Sequence, residues 1–167
     1  MQQAWVWTNP PSNKITLPYA RYDDRQSELP SYKISGVGAI EPLDVGRAVV
    51  TLNSHAAAKA ARLQCIPSEV MCPLVKQSIV DIVQRYAEDD MQQIRVDLLS
   101  PKGKSTDFSY LRPLHYVHCT DTDRSDIVNW IIVGEKFVDA RRLVFHDGCI
   151  GERHLARDAL SNHVVVS

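Results

Sequence analysis

A chain of 167 residues, 44% hydrophobic and 23% charged, fits a single globular domain that buries a real core without staples. Its formal net charge of −1 argues against a dedicated nucleic-acid binder, and no run approaches the ~18 apolar residues that span a membrane. Residues 1–14 lack the charged start and apolar run of a signal peptide. Four scattered cysteines (Cys65, Cys72, Cys119, Cys149) are too few for a disulfide scaffold, so reduced thiols in a cytoplasm are the expectation.

Taken in chain order, residues 1–30 read as irregular, with Trp5 and Trp7 spaced for one face of a short strand before Pro10, Pro11, Pro18 and Pro30 interrupt. Residues 32–40 and 47–52 read as two short strands around a break at 41–46, and alanine-rich 54–62 as a short helix capped by Ser54. Pro73 then opens an amphipathic helix in which Val75, Ile79, Ile82, Val83 and Tyr86 recur at helical spacing, ending near Glu88, Asp89 and Asp90. Alternation at Ile94, Val96 and Leu98 gives a half-buried strand, followed by a turn at 101–104. Strand-like text dominates the rest, over 110–119, 127–133, 137–145 and 162–166, with 127–133 also compatible with a short helix. Pro113 lacks a ladder donor, so its strand begins after it or lies at an edge. The expected fold is α+β: one domain, mainly antiparallel sheet, with one long amphipathic helix and one or two short helices.

Several residues have side chains suited to chemistry. His115, His118, Cys119, His146, Cys149 and His154 are of zinc-ligating type, but on a strand His115 and His118 point to opposite faces, and no Cys-x-x-Cys or His-Glu-x-x-His motif is present. Cys149 beside His146 or His154 has the residue types of a thiol nucleophile and base, while buried cysteines more often serve as small hydrophobes. Phosphate loops, dinucleotide fingerprints and serine elbows are absent from the sequence. Asp121, Asp123 and Asp126 lack the glycine and closing glutamate of a calcium loop, which leaves a solvated turn or an acidic contact surface.

From about residue 70 onward the order of segments is more specific. Pro73, Leu74, Val75 and Lys76 lead into an amphipathic stretch at 77–84, an apolar strand follows at 94–99, and a second strand at 115–120 ends in the carboxylate-rich turn Asp121, Asp123, Ser125. A strand at 143–147, the arginine-bearing segment from Gly151 to Arg157 and the valines 164–166 complete it. This resembles an immunity-protein family of bacterial polymorphic toxin systems, formerly a domain of unknown function. Lys76 stands where that lead usually has serine, and Ala156 where an aromatic residue usually precedes the arginine.

The resemblance implies a bacterial cytoplasmic antidote, of the kind used in type VI secretion and interbacterial competition. Such a protein binds a cognate protein toxin and occludes its active site or substrate path. No catalytic residues, metal or cofactor, and no nucleic-acid or membrane partner, are expected; exposed strand edges make a homo-oligomer feasible. The acidic residues Glu88, Asp89, Asp90, Asp121, Asp123 and Asp126, with Trp130 as an aromatic anchor, are the candidate toxin-binding residues. The alternative is a cysteine- or metal-dependent hydrolase centred on His118, His146, Cys149 and His154.

Overall fold

Strand pairing organises most of the chain. The structure, a computed structural model, describes residues 4–7, 18–41, 46–52, 60, 62–134 and 136–167. It corrects the expected α+β fold with one long amphipathic helix: the protein is mostly β, 42% strand against 14% helical. The described residues form three sheets. The largest has the order β2 (Ala20–Tyr22), β3 (Ala48–Leu52), β6 (Met91–Ser100), β8 (Phe108–Pro113), β5 (Leu74–Lys76), β4 (Cys65–Ile66), with β7 (Gly103–Ser105) folded back on β6. The second runs β1 (Trp5–Trp7), β13 (Val164–Val166), β12 (Leu155–Asp158), β9 (Tyr116–Val117). The third is a two-stranded hairpin of β10 (Asp126–Ile132) and β11 (Lys136–Arg142). Among the described strands pairing is antiparallel except for β3 with β6 and β9 with β12, and an isolated bridge joins Ala20 in parallel to Ser68.

The helical pattern that opens at Pro73 divides in two. Leu74, Val75 and Lys76 pair with both β4 and β8, so the helix α2 begins only at Gln77 and runs to Ala87. A 3-10 turn at Glu88–Asp90 follows and β6 starts immediately, which limits the helical stretch to 14 residues. Residues 32–40, read as strand, instead begin with a short helix α1 (Ser31–Ser35). Its start is fixed by the Asp24 carboxylate, which accepts hydrogen bonds from the Ser31 N–H at 2.9 Å and Oγ at 3.1 Å. Pro30, the N-cap residue, makes no side-chain cap, so this contact from outside the helix takes its place, and it is invisible to the β-propensity of 32–40. The short helix expected over 54–62 falls largely outside the described residues, as do Pro10 and Pro11.

Pro113 closes an interior strand. It is the last residue of β8, opposite Met91 at the end of the ladder, beyond the point where β5 stops, so no donor is missed.

Alternation sorts the core. Ile94, Val96 and Leu98 of β6 join Val50, Tyr110, Ile34 and Leu29 on one face of the large sheet. Leu111, Met91 and Val75 on the other face pack with Val80 and Ala87 of α2 and with Leu155 and Val164 of the second sheet. Ala156 and Val165 alternate away from these and meet Cys119, Ile150 and Phe145. Each fully buried aliphatic side chain in these clusters stabilises the fold by roughly 1.5–3 kcal/mol.

Arg157 ties the two large sheets together. It is fully buried, and its guanidinium donates to Asn162 O (2.8 Å), Met71 O (2.6 Å) and Cys72 Sγ (3.1 Å). Arg112, also buried, donates to Lys33 O at 2.9 Å and Val37 O at 3.2 Å, anchoring the segment after α1. Burial pushes the Cys72 thiol up to about 11, so the sulfur between these cations stays protonated.

Candidate binding surface

The β10–β11 hairpin projects apolar side chains into solvent. Val128 is 43% exposed, Ile131 56%, Ile132 51% and Val133 83%. Among the described residues its two strands pair only with each other. Gly134, at φ 78°, supplies the left-handed residue of the connecting turn. The register shifts repeatedly between Asp126 and Ile132, so strict in–out alternation is lost. Val128 and Ile132 have one parity along the strand and Ile131 and Val133 the other, and neither set is covered. A two-stranded hairpin with water on both faces is marginal by itself.

The foot of this arm is held firmly. Cys119 and Cys149, 30 residues apart on either side of the arm, form a disulfide with their Cα atoms 4.9 Å apart. This corrects the expectation of four reduced thiols; Cys65 and Cys72 remain free. Thr120 bridges to Phe145, the Asp121 N–H donates to Val144 O at 2.8 Å, and the His146 N–H donates to Cys119 O at 2.9 Å. Arg142 Nη2 reaches across the arm to Arg124 O at 2.8 Å.

Two carboxylates organise the foot. Asp121 accepts from the N–H groups of Asp123 and Arg124 and from Arg124 Nε at 2.6 Å, with His146 Nδ1 3.5 Å away. Burial acts to raise its pKa, but the hydrogen bonds and charge of Arg124 outweigh it and hold the carboxyl below the ordinary range. Asp158 is fully buried. Its Oδ1 accepts from the N–H of Cys119 (2.8 Å) and of Thr120 (3.1 Å). Its Oδ2 accepts from Thr120 Oγ1 (2.7 Å) and from the N–H (2.8 Å) and hydroxyl (2.6 Å) of Ser161. Burial again works against the charge, and the donors of Ser161, Thr120 and Cys119 prevail, so its pKa lies below the ordinary carboxylate value.

The residues singled out from the sequence separate into two places. Asp121, Asp123, Asp126 and Trp130 belong to the arm and its foot: Asp123 and Asp126 are exposed, Asp121 is buried in its turn, and Trp130 is half-buried opposite Phe137. Glu88, Asp89 and Asp90 lie at the α2–β6 junction. The first two are exposed there, but Asp90 is buried and accepts from His154 N at 2.7 Å and Arg153 Nη1 at 3.3 Å. Its carboxylate ties two segments together. Sequence reasoning missed Val128, Ile131, Ile132 and Val133 as surface residues, although the apolar stretch at 127–133, interrupted by Asn129 and followed by Gly134, was the available signal.

The histidines and cysteines do not converge. His115 Nε2 faces Asp89 O at 3.1 Å, His146 faces Asp121, His154 Nδ1 faces Ser167 Oγ at 3.0 Å, and both Cys119 and Cys149 are consumed in the cross-link. Among the described residues no group of three or more His, Cys, Asp or Glu side chains is placed to hold a metal ion. A broad hollow of about 830 Å3 on the large sheet is lined by Arg47, Gln77, Gln93, Arg95, Val96 and Asp97. Within it the Asp97 carboxylate is already engaged by Lys104 at 2.7 Å and Arg47 at 3.6 Å. Among the described residues no helix is long and apolar enough to cross a membrane. Compared with known proteins, the chain matches no family model and no curated protein.

Proposed function

We propose that this protein works by binding another protein, and that the β10–β11 arm is the surface it uses. The observation that carries this reading is the set of four exposed aliphatic residues on a hairpin packed, among the described residues, chiefly on itself. Exposed aliphatic side chains concentrated on one projecting element mark an interaction site. Its rigid, cross-linked foot keeps the ordering cost of binding low.

The specific form of the proposal is an antidote that neutralises a cognate bacterial toxin. The resemblance of the segments from residue 70 onward supports that role, and the arm supplies a surface for it. Ile131, Ile132 and Val133 near the tip are the apolar anchors, and the exposed Asp123 and Asp126 supply charge at the foot of the arm. The Cys119–Cys149 bond favours an oxidising compartment such as the periplasm over the cytoplasm expected from the sequence.

Co-expression with the toxin encoded beside this protein tests the reading. Wild type rescues growth and is recovered in a complex, whereas the double variant Ile131→Asp, Val133→Asp binds at least about 30-fold more weakly, the effect of losing a hot spot of about 2 kcal/mol. Both side chains are exposed, so the melting temperature moves little. Full rescue by the variant refutes the arm as the binding surface, and no rescue by wild type refutes the antidote role.

A further inference from the structure

The arm joins the body through two legs, residues 119–125 and 143–149, and one covalent bond links them. Among the described residues an isolated bridge, Thr120 to Phe145, and a few hydrogen bonds also join the legs, in place of a continuous ladder. The first leg is fastened to the second sheet as well, because Asp158 of β12 holds the N–H groups of Cys119 and Thr120. For the second leg the described hydrogen bonds run to the first leg or stay within its own turn, and packing of Phe145 and the following Ile150 supplies the rest of its hold. The two sulfurs are placed differently. Cys119 is fully buried with Ile150, Ala156 and Val165, whereas Cys149 is half-buried beside the exposed Gly148. An external thiolate therefore reaches the bond at Cys149 Sγ, with Cys119 as the leaving sulfur. Neither Cys119 nor Cys149 belongs to the two large core clusters, so breaking the bond leaves the packing of the two large sheets in place.

We propose that the Cys119–Cys149 bond is a redox latch on the arm. Oxidised, it holds the foot closed for binding; reduced, it lets the second leg part from the first while the two large sheets stay folded. The chemistry is a two-electron exchange with a dithiol. One thiolate of the reductant attacks Cys149 Sγ and forms a mixed disulfide, and Cys119 leaves as a thiolate that takes up the proton the attacking thiol gave up. The second thiol of the reductant then displaces the Cys149 sulfur, which is protonated in turn, and the reductant ends as a disulfide. A disulfide oxidant reverses both steps. Once reduced, Cys119 stays in its apolar cluster as a small hydrophobe, so the leg that moves is the one bearing Cys149. A loosened foot restores the ordering cost that the cross-link had removed, and the arm binds more weakly. The inference rests on the arm being the binding surface and concerns what closes it.

Hydrogen exchange on the purified full chain, with and without dithiothreitol, tests it in the absence of any toxin. Exchange over 120–134 and 139–146 accelerates at least about 10-fold on reduction, while β6 and β8 keep their protection. Oxidised glutathione restores the slow exchange, and Cys149→Ser exchanges at the reduced rate whether or not dithiothreitol is present. In the reduced protein iodoacetamide labels Cys149 before Cys119. Unchanged exchange at the arm on reduction overturns the proposal. Equal acceleration of β6 and β8 overturns it too, because the bond is then a staple of the whole fold, as does labelling of Cys119 first. Should circular dichroism show that Cys149→Ser misfolds, reduction and reoxidation of the wild type decide by themselves. An arm that loosens on reduction in a chain that binds no toxin in either state defeats the antidote reading alone; equal exchange in both states, in a chain that binds toxin, defeats this inference alone.

Discussion

Replacing Asp158 with asparagine tests whether the foot of the arm is built around one buried charge. The carboxylate accepts five hydrogen bonds, two at Oδ1 and three at Oδ2. Asparagine keeps the two backbone donors of Cys119 and Thr120 if its oxygen takes the Oδ1 position. The amide nitrogen then faces the Ser161 N–H, donor against donor, while the hydroxyls of Thr120 and Ser161 rotate to accept. One buried N–H left unsatisfied costs about 1–3 kcal/mol, and weakening two charge-assisted bonds to neutral ones costs about 1 kcal/mol each. Easier burial of a neutral amide returns part of this, leaving a net loss of about 3 kcal/mol. With a urea slope of about 2 kcal/mol per molar, the unfolding midpoint falls by roughly 1.5 M. A shift below about 0.5 M at unchanged slope refutes the assignment. The sign with pH is also fixed. The folded pKa of Asp158 lies below its ordinary 3.8, so its contribution is complete above that value and is lost as pH falls through the folded pKa. Wild type and Asp158→Asn therefore converge in stability below about pH 4.

Cys149→Ser opens a loop of about 30 residues and, on chain-entropy grounds, lowers stability by about 3.6 kcal/mol. Thermal unfolding without reductant measures the loss, and hydrogen exchange over 126–134 accelerates as the foot loosens; equal protection in both proteins counts against a clamp. Arg157→Lys cannot bridge Met71 O and Asn162 O with a single ammonium and costs about 2–3 kcal/mol in denaturant unfolding, so a variant as stable as wild type would show that the fork is dispensable.

How far the sequence reached differs from element to element. The alternation of Ile94, Val96 and Leu98 located β6, and the paired tryptophans located β1, because a period of two is a local signal. The same locality misled at Pro73. Val75 fits the helical spacing of Ile79, Ile82 and Val83, yet it sits in a strand because β4 and β8 flank it, and neither partner is visible from within the segment. Strand β12 was missed outright. The sequence places its Arg157 only in an arginine-bearing segment and does not single out its Asp158, and only carbonyls from 71 and 162 and donors from 119, 120 and 161 make their burial tolerable.

The sequence by itself determined that a core exists, that strands prevail after residue 90, and that several acidic side chains cluster at 121–126. It also held the apolar run that became the arm. Tertiary structure alone decided that Cys119 meets Cys149, that Asp90 and Asp121 are structural carboxylates, and that Val128, Ile131, Ile132 and Val133 lie in water and not in the core. Hydrophobicity records what a residue would gain by burial; which surface is left to bury it is fixed only when the rest of the chain has folded.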